Sequence, residues 1–178
     1  MATEKSILEK LSEPLKISDI DFRIQSISTS GWATILPYKD ARVDMNRLDK
    51  VVWPALWKRE HFDWNTRCRV SIYNSEIKEW VSKEDIGTAS KTEWEKWLAS
   101  DSFKRACFNW GIGRELYDFP VIQLKLQDTE WDSKTGRTTW AFQLKDWKWA
   151  GKRDEQWKLI QLAAKDQDWT IRFNWKPE

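Results

Sequence analysis

Apolar and polar residues alternate most regularly in the middle of the chain. In the run Arg67–Tyr73, the residues Cys68, Val70 and Ile72 recur at every second position, which places them on one face of a strand. Two flanking runs have the same character and are separated from the first by polar turn residues: Trp57–Asp63 and Ile77–Ile86. The pattern therefore predicts a three-stranded antiparallel meander.

Helical spacing occurs before and after this meander. Apolar residues in Ser6–Leu15 follow the period of a helix, and Asp40 is a good N-cap for a second helix that ends before Pro54. After the meander, Ser90-Lys91-Thr92-Glu93 has the form of a capping box and opens a longer helix that continues to Trp110. Two glycines then predict the end of that helix.

The remaining segments have shorter patterns. Phe22–Tyr38 predicts a β-hairpin between the first two helices. Beyond Pro120 we predict three strands, a hairpin turn and one helix, in the order Val121–Leu126, the turn Lys134–Arg137, Thr138–Trp149, the helix Gln156–Lys165, and Trp169–Trp175. No internal repeat is visible in the sequence.

Together these elements predict an α+β fold. Its β-β-β-α core is a three-stranded antiparallel β-meander followed by a long helix, with an N-terminal helix and hairpin and a β-rich C-terminal extension. The 178 residues are enough to bury a sizeable core. We expect a core domain over residues 1–118 and an extension over residues 119–178 that packs on it.

Composition narrows the functional classes. The net charge is only +2 although 33% of the residues are charged, so a basic site must come from local clustering. No apolar run has the length of a membrane span, and the N-terminus lacks the pattern of a secretory signal. We therefore expect a cytoplasmic protein in which Cys68 and Cys107 stay reduced. The 15 tryptophans indicate either an aromatic core and subunit interface or stacking platforms for bases, and composition does not decide between them.

Enzyme signatures are weak. The chain has no P-loop sequence, and Gly111-Ile112-Gly113-Arg114 begins like a dinucleotide fingerprint but lacks the third glycine and follows a helix. A nucleophilic site would require the single histidine, His61, and two cysteines with one histidine are too few for a closed zinc site. The carboxylates form no spaced set typical of a metal nuclease. We expect no cofactor and no metal.

Basic residues supply the positive signal. Lys104 and Arg105 are adjacent in the predicted long helix, so their side chains point about 100° apart and can meet different phosphates along a groove wall. Further cations lie nearby in the sequence or on predicted strands: Arg114, Arg67, Arg69 and Arg23. Tyr38, Trp57 and Tyr73 offer flat faces for bases. Phosphate binding along a strand requires cations that are spread over a surface. A Lys-Arg pair on a helix, however, more often belongs to an ordinary solvent-exposed face.

A resemblance to a known family decides between these readings. Asp101–Tyr117 reads DSFKRACFNWGIGRELY and resembles the Rad-fifty-two superfamily of single-strand annealing proteins, closest to the bacterial and phage branch of DdrA-like proteins. Arg42–Asp49 followed by Trp53–Trp57 resembles the family's helix and its Gly-Pro-x-x-Trp element, with Trp53 in place of the glycine. Lys83–Ser90 resembles the strand end before the long helix. The resemblance extends from Ser6 to Tyr117.

The resemblance implies ATP-independent binding of single-stranded DNA and annealing of complementary strands during recombination and repair. It also implies a homo-oligomer, with a ring as the expected form and DNA in a basic outer groove. The expected setting is a bacterial cytoplasm, with a phage gene as one origin. An exonuclease or a single-strand binding protein would be a natural recombination partner.

The same resemblance implies a set of DNA-binding residues. Lys104 and Arg105 are similar in position to the family's paired basic residues, and Arg23 is similar to an arginine of the same site. Tyr38 and Arg42 are similar to a neighbouring aromatic and basic pair. Eukaryotic members carry a further arginine where this chain has Phe108. Either Arg114 or the strand arginines Arg67 and Arg69 replace it, or phosphate contact is reduced in this chain.

Two other functions stay open at this point. A DNA-end protection or scaffolding module would bind strands without pairing them and would leave the annealing rate unchanged. A metal-dependent nuclease would cleave DNA in the presence of magnesium. The sequence favours annealing because the basic residues match a motif and the carboxylates do not.

Overall fold

The computed structural model describes residues 5–88 and 94–177, except for the side chains of residues 94–97. The helices are α1 Ile7–Leu11, α2 Ala41–Val52 and α3 Trp94–Asn109. The strands are β1 Asp21–Ile27, β2 Trp32–Tyr38, β3 Trp57–Phe62, β4 Arg67–Asn74, β5 Glu79–Ile86, β6 Ile122–Lys125, β7 Trp131–Asp132, β8 Arg137–Thr138, β9 Lys148–Arg153, β10 Leu159–Lys165 and β11 Ile171–Trp175. None of the helices in this part of the chain has the length and apolar composition that crossing a bilayer requires.

The predicted meander and long helix are present, and the α+β fold class is confirmed. Strands β3, β4 and β5 form an antiparallel sheet in that order. The alternating residues Cys68, Val70 and Ile72 of β4 are buried in one cluster with Phe103 and Trp110 of the α3 region. One face of the sheet therefore packs against α3, as the period of two predicts.

The end of β5 approaches α3 very closely. A Cβ atom on Gly87 would lie 2.9 Å from the backbone nitrogen of Ser102, which leaves no room for a side chain. At the other end of the contact, the Trp110 indole nitrogen donates a hydrogen bond of 3.1 Å to the carbonyl oxygen of Val70. These two contacts fix the position of α3 along the sheet.

The predicted N-cap at Asp40 is present, and α1 begins with a capping box at Ser6 that was not predicted. The Ser6 side chain accepts a hydrogen bond from the Glu9 amide in a capping box, and Asp40 accepts one from the amide of Arg42. The first helix ends at Leu11 and is shorter than predicted, because the chain turns before Pro14. The predicted capping box at residues 90–93 lies outside the described residues.

Two predictions for the C-terminal region are wrong. Gln156–Lys165 is not a helix, because most of it forms β10. A bulge between Leu159 and Gln161 adds one residue to the strand, so the buried Leu159 and Leu162 are spaced as in a helix. Thr138–Trp149 is not a continuous strand, because a 3-10 helix covers Leu144–Asp146.

The chain divides into two compact units. The first consists of the residues up to Leu15 together with Asp40–Arg114, and the second of Lys16–Lys39 together with the residues from Glu115 onward. The hairpin β1–β2 pairs with β6 within the second unit. The predicted domains, residues 1–118 and 119–178, divide the chain differently and stay a prediction.

A nearly buried ion-pair cluster lies in the second unit. Arg172 donates two hydrogen bonds of 2.8 Å to the carboxylate of Glu130 and lies 3.4 Å from a carboxylate oxygen of Asp166. Burial alone would raise the pKa of Glu130, but hydrogen bonds from Arg172 and the Gln127 amide outweigh burial and hold that pKa below its usual value. Glu130 is therefore charged at neutral pH, and its low pKa depends on Arg172.

Replacing Arg172 with Met is expected to destabilise the protein by about 3–5 kcal/mol, because two buried carboxylates lose their counter-ion. The penalty should fall as pH drops through the range in which Glu130 protonates. Urea unfolding at pH 7 and pH 4 measures both effects. The control is Arg42→Met, which removes an arginine from an exposed ion pair and should change stability little. Equal losses for the two variants would contradict the account.

Candidate nucleic-acid interface

Lys104 and Arg105 lie on α3 beside residues that pack against the sheet. Phe103 and Ala106 are fully buried, whereas both basic residues are half-buried. Adjacent side chains on a helix point about 100° apart, so the two cations have different neighbours. Lys104 lies near the start of α2, and Arg105 lies near β5.

Arg105 faces the carboxylate of Asp85. Its Nε atom lies 3.4 Å from Asp85 Oδ1, and the two side chains are 37% and 30% exposed. The same Nε is shielded from solvent and makes no hydrogen bond within the described part of the chain. The poorly aligned contact with Asp85 leaves this pair weakly bonded. Because the Arg105 side chain is 37% exposed, its charge can attract an incoming anion in competition with Asp85.

Arg42 contacts Asp40 at the start of α2, and Lys104 lies close enough for its charge to act on the same carboxylate. Arg42 donates a hydrogen bond of 2.9 Å from its side chain to Asp40, and its amide donates another of 2.8 Å. These bonds lower the pKa of Asp40, and the charge of Lys104 lowers it further. The structure thus brings together Arg42 and Lys104, two of the residues that the sequence predicted for DNA binding.

Arg67 and Arg69 lie on the exposed face of the sheet formed by β3, β4 and β5. Both guanidinium groups lie 5.0 Å from the ring centroid of Phe62. Arg67 pairs with Asp63 at 3.1 Å, and Arg69 pairs with Glu84 at 3.2 Å. Exposed pairs of this kind contribute only about 0–1 kcal/mol, so a phosphate can replace the carboxylate at small cost.

Arg114 has a structural contact that the sequence did not predict. Its Nε donates a hydrogen bond of 2.6 Å to the Phe108 carbonyl oxygen, and its Nη2 donates one of 3.0 Å to the Asn109 carbonyl oxygen. The last carbonyls of a helix lack partners within the helix, so Arg114 caps α3. Its role in phosphate binding stays a prediction.

Arg23 and Tyr38 belong to the second unit, whereas the other six predicted residues belong to the first. Both lie on the hairpin β1–β2, where the Arg23 guanidinium lies 5.4 Å from the centroid of the Tyr38 ring. The contact keeps the Tyr38 ring beside the Arg23 cation. Such a pair suits a nucleotide, because a base can stack on the ring while the phosphate meets the cation.

Two residues on the exposed sheet face, Trp80 and Lys58, were not predicted from the sequence. Trp80 of β5 packs edge-on against Tyr73 of β4, with ring centroids 5.5 Å apart, and Lys58 Nζ of β3 lies 5.1 Å from the Trp80 ring centroid. The strand register places Tyr73 opposite Trp80. The alternation of side chains along β3 and β5 would have placed Lys58 and Trp80 on the same face as Tyr73, but only with the strand register known.

Trp57 has a different environment from the one predicted. Its indole nitrogen donates a hydrogen bond of 2.7 Å to Asp49, and its ring lies 6.3 Å from the ring of Phe103. Trp57 packs against the core cluster of the first unit. Trp57 therefore packs on the core side of the sheet, whereas Tyr73 lies on the exposed face.

The structure brings His61 and Cys68 together, with 4.0 Å between His61 Nε2 and Cys68 Sγ. Burial raises the pKa of the Cys68 thiol to about 11 and, with the charge of Arg59, lowers the pKa of His61. The pair is therefore neutral at pH 7 and lacks the thiolate that a nucleophilic cysteine needs. Among the described residues, no group of three or more metal-ligating side chains is placed to hold a metal ion.

The Cys68 thiol should resist alkylation by iodoacetamide in the folded protein at pH 8, because only the thiolate reacts and the pKa is near 11. Peptide mass spectrometry can compare labelling at Cys68 before and after unfolding in urea. Rapid labelling of Cys68 in the folded protein would contradict the neutral pair and reopen a nucleophilic role.

Replacing Arg42 with Gln should raise the pKa of Asp40, since it removes the largest cause of the lowering. Lys104→Gln should raise the same pKa by less, because Lys104 acts only through its charge. Carboxyl carbon NMR across a pH titration measures both shifts. An unchanged Asp40 pKa in Lys104→Gln would show that Lys104 lies away from Arg42 in solution.

Comparison with known proteins gives one informative match. The chain is 32% identical over 135 residues to the single-stranded DNA-binding protein DdrA of Deinococcus radiodurans, and the matched region covers 66% of this chain and 62% of that protein. The chain therefore spans less than two thirds of the length of that relative. No protein-family profile matches the chain.

Proposed function

We propose that this protein binds single-stranded DNA without base specificity and anneals complementary strands without a nucleotide cofactor. The observation that carries the proposal is the 32% identity to a relative named for single-stranded DNA binding. We also propose membership of the Rad-fifty-two superfamily, on the resemblance of Asp101–Tyr117. Annealing, recombination and repair, and a homo-oligomeric ring are the parts of the proposal that rest on this resemblance.

The contacts of Arg105 and Lys104 support a phosphate site. Arg105 is partly exposed beside one weakly bonded carboxylate, and Lys104 and Arg42 both act on Asp40. Neutralised phosphates release counterions, so the affinity comes from charge and falls with salt.

Annealing requires no catalytic group on the protein. No covalent bond changes, so the protein must hold the backbone, leave base edges free and reduce repulsion between two strands. Contacts to phosphate do this without reading sequence. A homo-oligomer would repeat a modest site along one strand and so bind it tightly.

The test is a strand-annealing assay with dye-labelled complementary oligonucleotides and no nucleotide, combined with single-strand binding across a salt series. Lys104→Ala/Arg105→Ala should weaken binding about tenfold or more and reduce the salt slope by about 1.4, or 0.7 for each lost phosphate contact. The control is Lys50→Ala/Lys134→Ala, which removes the same charge at exposed positions elsewhere.

A complementary variant tests Arg105 in the opposite direction. Asp85→Asn removes the carboxylate beside Arg105 and should tighten single-strand binding, because the phosphate no longer competes with an acid. Weaker binding by Asp85→Asn, or normal annealing by the double alanine variant, would contradict the proposed site.

One alternative has a specific basis, since the name of the relative describes binding and not annealing. An end-protection or scaffolding protein would bind single strands and shield them from an exonuclease. It would leave the rate of annealing at the spontaneous value, and that outcome would reject the annealing activity alone.

A further inference from the structure

The exposed face of the C-terminal sheet is basic. Strands β9, β10 and β11 have the sequences KWAGKR, LIQLAAK and IRFNW, which contain no acidic residue. Their register places Lys148 directly opposite Lys165 and Lys152 opposite Gln161. Trp149 and Leu162 point to the other face and join the core cluster of the second unit. We call the exposed group Lys148, Lys152 and Lys165 the lysine face.

The lysine face has an electrostatic cost that the fold does not offset. Like charges directly opposite each other on neighbouring strands are destabilising. Within the described part of the chain, the three lysines make no ion pair, and their one charge-related contact is that of Lys165 Nζ with the Trp169 ring, 5.7 Å from its centroid. Lysines elsewhere in the chain pair with acids, as Lys5 does with Glu13. The arrangement fits an anionic ligand that is absent from the isolated chain.

Trp169 adds an aromatic surface at the edge of this face. It is 69% exposed and has a φ of 62°, a left-handed conformation that favours glycine or asparagine. A large apolar side chain in that position is unfavourable for the backbone and for solvation. Strained, exposed residues of this kind are concentrated at functional sites.

The turn that carries Trp169 is held firmly. Asp166 Oδ1 accepts hydrogen bonds from the amides of Asp168 at 3.0 Å and Thr170 at 2.9 Å. The other carboxylate oxygen of Asp166 lies 3.4 Å from Arg172. The indole is therefore presented by a turn that is anchored in the ion-pair cluster, which preorganises it for stacking.

The same turn occurs a second time. Asp154 Oδ1 accepts from the amides of Gln156 and Lys158, both at 2.9 Å, and Trp157 has a φ of 67° and is 53% exposed. This turn joins β9 to β10, whereas the Trp169 turn joins β10 to β11, so the two tryptophans lie at opposite ends of the sheet. The lysine face lies between them.

We propose that the lysine face is a second binding surface for single-stranded nucleic acid, with phosphates on the three lysines and a base stacked on Trp169. Lys148 and Lys152 lie four residues apart on β9, about 13 Å, which a few nucleotides of extended strand can span. The floor between the lysines consists of small and polar side chains, Ala150, Ala163 and Gln161, which suit a sugar-phosphate backbone better than an acyl chain. The inference rests on the proposed function, since it assumes that the chain binds single strands.

The first test neutralises the lysines. Lys148→Gln/Lys152→Gln/Lys165→Gln should weaken binding of an oligothymidine at least tenfold and reduce the salt slope by about 2, or 0.7 for each lost contact. The control, Lys16→Gln/Lys50→Gln/Lys134→Gln, makes the same change in net charge at exposed positions outside the lysine face and should keep the slope of the wild type.

The second test removes the ring without harming the fold. Trp169→Gly should leave the melting temperature unchanged or raised, because glycine prefers the left-handed conformation. It should weaken oligothymidine binding about fivefold to a hundredfold, the effect of one lost stacking contact. Lys78→Gly is the matched control, because Lys78 has a φ of 55° and carries no ring.

The outcomes separate the two proposals. If the wild type binds oligothymidine and both sets of variants bind equally well, the lysine face is not a nucleic-acid surface and the proposed function stands. Failure of the wild type to bind would overturn both proposals. If the triple glutamine variant lost binding to phosphatidylserine vesicles while keeping its affinity for oligothymidine, the face would be a lipid-binding surface and this inference would be wrong.

Discussion

The packing of α3 against the sheet of β3, β4 and β5 determines where the candidate site in the first unit can form. Gly87 permits this packing, because a Cβ atom at that position would lie only 2.9 Å from the backbone nitrogen of Ser102. Lys83 reinforces the contact by donating a hydrogen bond of 2.6 Å to the carbonyl oxygen of Asn109. With the helix held at this depth, Arg105 faces Asp85 and Lys104 lies near Asp40.

Charge pairing explains how a protein with a net charge of only +2 can offer phosphate sites. In the first unit, Arg105 and Arg69 each lie beside a carboxylate, and partly exposed pairs of this kind are weak enough for a phosphate to compete. In the second unit, Lys148 and Lys165 face each other without a counter-ion among the described residues. The two surfaces therefore differ: in the first unit a phosphate must displace a carboxylate, whereas in the second unit the lysines repel each other and gain a counter-ion when a phosphate binds.

The sequence predicted the features that depend on local pattern and missed those that depend on distant partners. Alternation identified β4, and Asp40 was recognised as an N-cap from its position alone. β10 was wrongly predicted as a helix because of the bulge after Leu159. The extra residue places the buried Leu159 and Leu162 three positions apart, where a regular strand would place buried residues two apart. The pair of Arg105 with Asp85 and the capping of α3 by Arg114 could not be predicted, since each requires knowledge of how the chain folds back.

The most direct test of the central claim is equilibrium binding of the wild-type protein to a single-stranded oligonucleotide and to a duplex of the same length, both measured across a range of salt concentrations without nucleotide. The account predicts tighter binding to the single strand, with an affinity that falls linearly with salt on logarithmic axes, because phosphate contacts release counterions. Equal or tighter binding to the duplex, or no binding to the single strand at low salt, would contradict it.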